Sequence, residues 1–177
     1  MTIEPIPQPR TFGELGFDAF YRRNLAVVYG YVLRLCGGSV ENAQDLTQEA
    51  WTAFVDQIRA GRADQLDVRW LIAVARNRYI DQWRRTRKLE SKLGLVWNAT
   101  RESDSEESIT RAQVLEQLRE LDDDHRIVLM MRYIDQLSVD EIATSISRTT
   151  VATYSLLARA REDLRTRLVP PIAGGSS

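Results

Sequence analysis

From Phe17 to Leu168 the apolar residues return every three or four positions, and nowhere does the chain alternate apolar and polar side chains long enough to make a half-buried strand. Such a sequence buries its apolar surface only by packing helices together, so the expected fold class is all-α. One stretch breaks the pattern. Residues 89–110 turn acidic and serine-containing, with Ser103, Asp104, Ser105, Glu106, Glu107 and Ser108 in succession; this composition buries too little apolar surface to order itself alone. We therefore expect two small helical domains, 15–88 and 111–169, joined by a flexible acidic linker at 89–110. Residues 1–14, with Pro5, Pro7 and Pro9, and residues 170–177 read as frayed tails.

The local signals divide each half into helices. A first helix over about Phe17–Leu35 turns Phe17, Phe20, Leu25, Val28, Tyr31, Val32 and Leu35 inward and stops at Gly37-Gly38, where positive φ costs little. Ser39 is placed to cap a second helix with Leu46, Ala50, Phe54, Val55 and Ile58 inward and Gln44, Asp45, Gln48 and Glu49 outward, ending near Gly61. Gly61–Asp67 is a loop, and Asp67 caps a third helix running through Trp70, Leu71, Val74, Ala75, Tyr79 and Trp83. Beyond the linker, helical patterning covers Arg111–Leu121, Asp123–Tyr133, Val139–Ile146 and Thr150–Leu168, with a Ser138/Glu141 capping box before the third of these. Two short helices, a tight turn and a longer basic-ended helix spell helix-turn-helix.

Composition narrows the chemistry. With Cys36 and His125 as the sole cysteine and histidine, a disulfide framework, a Cys/His zinc site and a Ser-His-Asp array are short of parts. Cys36 reads as a small packing residue and Met130 and Met131 as core. No apolar run approaches the ~18–20 residues of a membrane span, and no secretory signal is visible at the N-terminus, so a cytoplasmic protein is expected. The net charge of −1 conceals its distribution: residues 1–88 carry +3, the linker −3 and 111–177 −1. Within Arg76–Lys88 six bases stand against the single Asp81, an electrostatic footprint for nucleic acid. Trp70, Asn77, Asp81, Arg84 and Lys88 fall within about 60° of a helical wheel. That face offers a ring to stack on a base, an amide for a base edge and cations for phosphates; a solvated polar face beside a half-buried tryptophan has the same pattern. His125 among Asp122, Asp123 and Asp124 reads as an acidic first turn favoured by the helix dipole.

The run Asn42–Phe54, containing Asp45, Leu46, Gln48, Glu49, Trp51 and Phe54, followed by Trp70–Arg85 with Arg76, Asn77, Arg78, Ile80, Asp81 and Arg84, resembles the second domain of the extracytoplasmic-function (ECF) group of the sigma-70 family. The likeness resumes from Leu121 through Arg126, Leu137, Ser138, Asp140, Glu141, Ile142 and Ala143 to Ala158, Arg159, Arg161 and Leu164, which resembles the family's fourth domain. The resemblance implies a promoter-specificity subunit of RNA polymerase that acts by stoichiometric binding and initiates melting at the −10 element, with no enzymatic activity, cofactor or metal. It implies that Asp45, Gln48 and Glu49 dock on the clamp helices of the core RNA polymerase β′ subunit. Asn77 and the Gly61–Asp67 loop would capture a flipped −10 base, with Arg76, Arg78, Arg84, Arg85 and Lys88 on phosphates. Trp70 would stand near the melting point or in the core. At the −35 element Arg148, Thr149, Thr150, Tyr154, Ser155 and Arg159 would meet promoter DNA, and the same domain would hold the β flap. An anti-sigma factor is an implied partner, and the free protein is expected to be a monomer. The recognition helix departs from the family: Tyr154 and Leu156 stand where two basic residues are usual, so weaker −35 binding is expected, with promoter choice leaning on the −10 side or this domain serving mainly to hold the β flap. The alternatives are a sigma-like regulator, or a conventional dimeric helix-turn-helix regulator that does not itself open promoters.

Overall fold

A computed structural model of the chain describes residues 12, 16–63, 66–92 and 111–168, and all secondary structure among them is helical. The helices are α1 (Phe17–Leu35), α2 (Val40–Arg59), α3 (Val68–Lys92), α4 (Arg111–Glu120), α5 (Asp123–Leu129), α6 (Val139–Ile146) and α7 (Thr150–Leu168), with a π-helical turn at Met130–Ile134. The chain divides into two compact units between Tyr79 and Ile80, inside α3. The basic C-terminal half of α3 thus belongs with the second unit, and α3 runs to Lys92, four residues into the expected linker. The remainder of the expected linker, 93–110, lies outside the described residues.

In the first unit α1 ends as the glycines dictate. Gly37 and Gly38 take φ of 62° and 87°, and the Gly38 amide donates to the Leu33 carbonyl at 2.8 Å. Ser39 occupies the N-cap position of α2 without a side-chain bond, its carbonyl accepting from Ala43 at 3.0 Å. Asp67 caps α3 through its carboxylate, which accepts from the Trp70 amide at 2.8 Å. The core is aromatic at its centre, where Phe20 and Phe54 stack with centroids 5.1 Å apart. Three expectations are corrected here. Phe17 is 42% exposed, because the inward stripe of α1 begins at Phe20 and instead includes Asn24, whose amide is satisfied by the Phe20 carbonyl. Trp51 and Thr47 are buried on α2, while Val55 and Ile58 are half-buried. Phe12, expected in a frayed tail, packs edge-on against both Phe20 and Phe54 and donates its amide to the Leu66 carbonyl.

The second unit packs α5, the π turn, α6 and α7 around Ile127, Met130, Met131, Ile142, Leu156 and Leu157. The Ser138/Glu141 capping box forms in full, with the Ser138 amide donating to Glu141 Oε2 at 2.8 Å and the Glu141 amide to Ser138 Oγ at 3.3 Å. Asp122 caps α5 by accepting from the His125 amide. The π turn, which periodicity does not announce, is followed two residues on by Gln136 at φ 58°. The helix-turn-helix turn passes through Ser147 at φ 54°, ψ 47°, a left-handed conformation that costs a residue with a Cβ and suits glycine. Ser147→Gly is expected to raise stability by about 0.5–1 kcal/mol in urea unfolding.

Candidate nucleic-acid and polymerase interface

In the first unit the outer face of α2 presents Asp45 and Gln48 to solvent, with Glu49 half-buried. Glu49 is already engaged: its Oε2 accepts from Arg78 Nη1 of α3 at 2.9 Å. A residue expected on the polymerase and one expected on the −10 element therefore hold each other, and both side chains remain about 45% exposed. At such exposure the pair contributes little stability, so a partner can separate it cheaply. Asn77 is exposed and makes no bond among the described residues, whereas Arg76 beside it is half-buried. Trp70 is half-buried, its ring centroid 6.1 Å from that of Phe54, which makes it the outer wall of the core. Gly61, at φ 73°, closes α2; of the loop that follows, residues 64 and 65 lie outside the described residues.

A groove of about 910 Å³ opens between α1 and α2, lined by Tyr21, Leu25, Tyr29, Gln48 and Trp51 among others. Thr47 Oγ1 and Trp51 Nε1 are buried at its base without a hydrogen-bond partner among the described residues. Sequence reasoning missed this feature: it placed neither residue inward. The signal available was the tryptophan itself, whose N–H needs a partner when buried.

In the second unit the candidate residues are more tightly committed. Asp81 and Arg84 pair with each other at 3.2 Å, while Arg85 and Lys88 are exposed. Asp124, with a side chain only 9% exposed, gathers three donors: Trp83 Nε1 at 3.1 Å, Arg148 Nη2 at 3.0 Å and the Arg87 guanidinium. Asp124 was read from sequence as part of an acidic first turn; the structure makes it the hub of a buried polar network. At the start of α7, Thr149 Oγ1 accepts from the Ala152 amide, Thr150 Oγ1 donates to Asp140, and Ser155 Oγ donates to the Val151 carbonyl. Tyr154 and Arg159 are exposed. Leu156, where the family resemblance implies a base, is buried at 2%. It is a core residue, so restoring an arginine there would disrupt packing before it supplied a contact.

With this geometry in view, comparison decides the family. The profile of Sigma-70 region 2 matches residues 20–89, and that of Sigma-70, region 4, matches residues 111–164. The chain is 31% identical over 140 residues to the ECF RNA polymerase sigma factor SigL of Mycobacterium tuberculosis, covering 72% of this chain and 75% of SigL. This chain belongs to the ECF group of the sigma-70 family. A second ECF sigma factor, BldN of Streptomyces coelicolor, is 29% identical over 161 residues, covering 87% of this chain and 60% of BldN. Among solved structures, the sigma factor RpoE of Bartonella quintana, crystallised with the anti-sigma factor NepR, shares the fold at a TM-score of 0.52 and 19% identity, covering 84% of this chain and 93% of RpoE. Among the described residues of this sigma factor, no helix is long and apolar enough to cross a membrane.

His125, the single histidine of this sigma factor, lies against Asp163 of α7, with Nδ1 and Oδ2 2.9 Å apart. Burial alone would raise the Asp163 carboxyl, but hydrogen bonds from His125 and Arg167, together with their charges, outweigh it and hold the group below its ordinary value. A carboxylate with a lowered folded pKa stabilises the fold above its unfolded pKa, and that contribution disappears as pH falls through the folded value. Asp163→Asn is therefore expected to flatten the acid limb of the stability curve below about pH 4, read as urea midpoints across pH. Asp124→Asn, which removes the charge while keeping the shape, is expected to cost about 1.5–3 kcal/mol by the same measurement.

Proposed function

We propose that this ECF sigma factor directs core RNA polymerase to promoters, docking on the β′ clamp helices through Asp45, Gln48 and Glu49 and starting strand opening at the −10 element. The observation that carries the reading is Asn77: an amide engaged by nothing among the described residues, exposed on a helix anchored by Asp67, with Arg78 beside it. An amide can hydrogen-bond the edge of an unstacked base, and the cations of Arg76, Arg78, Arg84, Arg85 and Lys88 hold the phosphates that position it. Trp70 supplies a fixed aromatic wall at the start of the same helix.

Breaking the Glu49–Arg78 pair couples the two tasks. When β′ engages Glu49, Arg78 is released for phosphate, so polymerase binding increases the positive charge available for DNA. The work is done by stoichiometric binding, without covalent chemistry. Region 4 holds the β flap and meets the −35 element through the start of α7. A cytoplasmic monomer controlled by an anti-sigma partner fits this role; the related RpoE was crystallised with such a partner.

Asn77→Ala is expected to leave core affinity unchanged while lowering open-complex formation by about tenfold, the equivalent of one lost base-edge contact of about 1–3 kcal/mol. Permanganate reactivity of −10 thymines in reconstituted holoenzyme measures this. Undiminished reactivity in the variant would remove Asn77 from base capture.

A further inference from the structure

The recognition helix lacks the cations expected for −35 readout, and three of its hydroxyl donors, those of Thr150, Thr153 and Ser155, are spent within the protein. Arg148 is tied to Asp124, and the Thr150 and Ser155 hydroxyls donate within the protein. Thr153 is fully buried and donates to the Thr149 carbonyl. The large side chains that the first turns of α7 offer to solvent are apolar in body: Val151 is 76% exposed and the ring of Tyr154 58%. Three residues apart, their side chains share one face of the helix. One large apolar residue in solvent is ordinary. Two together, at the helix position that meets base edges in a helix-turn-helix protein, are not explained by packing.

We propose that Val151 and Tyr154 read the −35 element through the 5-methyl groups of thymine. The proposal rests on the sigma-factor reading above and specifies its region 4 chemistry. In the major groove thymine is the base that displays an apolar group, alongside its O4 acceptor. With the Thr150 and Ser155 donors already used, apolar contact with that methyl is the discrimination this surface is best built to make. The charge along α7 favours nucleic acid over a protein partner: residues 150–161 hold Arg159 and Arg161 and no acid, and the neighbouring Asp140 is occupied by the Thr150 hydroxyl. Arg159 lies eight residues beyond Val151 on the same stripe, exposed and free of any acid among the described residues, and is placed to take a backbone phosphate. Such an interface discriminates by shape and methyl content, with a flatter salt dependence than an arginine-rich one.

The test replaces thymine by uracil, which keeps every hydrogen-bonding group and loses only the methyl. Promoter fragments that support initiation by reconstituted holoenzyme are rebuilt with uracil at each thymine between −30 and −40, and holoenzyme affinity is compared. Each contacted methyl is expected to contribute about fourfold in affinity. Val151→Ala and Tyr154→Ala should each weaken binding to the thymine duplex and shrink the thymine–uracil difference, the double variant should abolish it, and Tyr154→Phe should retain it. Far-UV circular dichroism and urea midpoints report whether the variants remain folded. Equal affinity of wild-type holoenzyme for both duplexes overturns the proposal. So does a loss of core affinity in Val151→Ala or Tyr154→Ala without DNA, which would make the patch a protein-docking surface. Failure of the sigma-factor reading is distinct: no fragment would support initiation at all.

Discussion

The ring of Phe54 is the point on which the first unit depends. It stacks on Phe20 and meets Phe12, Trp51 and Trp70 at 5.5–6.1 Å between centroids, joining α1, α2 and α3 with the segment before α1. A fully buried phenylalanine in such a cluster is worth about 3–5 kcal/mol against alanine, a large share of the stability a small helical unit possesses. The functional consequence is positional. Trp70 is held by Phe54, Asp67 caps the helix that begins at Val68, and Asn77 follows at a fixed register. An exposed amide can select a base only if it is held in place before the base arrives, and the aromatic cluster supplies that rigidity.

The second unit is organised by charge as much as by apolar contact. Asp124 binds Trp83, Arg87 and Arg148, and Arg126, also buried, is satisfied by the Leu121 carbonyl and Asp123. A buried carboxylate is tolerable only when its oxygens are satisfied, and two of the three partners here, Arg87 and Arg148, are cations that the sequence pattern alone assigns to nucleic acid. The count of basic residues therefore overstates the charge available to DNA: Arg78 is shared with Glu49, and Arg87 and Arg148 with Asp124. Arg85, Lys88 and Arg159 remain exposed and uncommitted among the described residues.

Helix identity was readable because the caps are local. Gly37-Gly38, Asp67 and the Ser138/Glu141 box act within a few residues, and each appears where the sequence places it. Features that depend on distant partners were not readable. Phe12 stands alone in a proline-rich segment, and nothing nearby reveals that Phe20 and Phe54 await it. Asp124 looks like any acid in a first helical turn until residues 24 and 41 positions away reach it. The π turn at Met130–Ile134 has no compositional mark. Leu156 stands where the family resemblance implies a base, yet α7 turns it into the core. The family and its two regions were legible in the motifs; the state of each charged side chain was not.

Whether the chain confers promoter selection on polymerase is tested most directly by transcription from fragmented host genomic DNA with core polymerase, with and without the protein, and sequencing of RNA 5′ ends. A set of new start sites preceded by a shared −10 element is expected. Stable binding to core with no new start sites would contradict promoter opening, and no binding to core would contradict the functional reading as a whole.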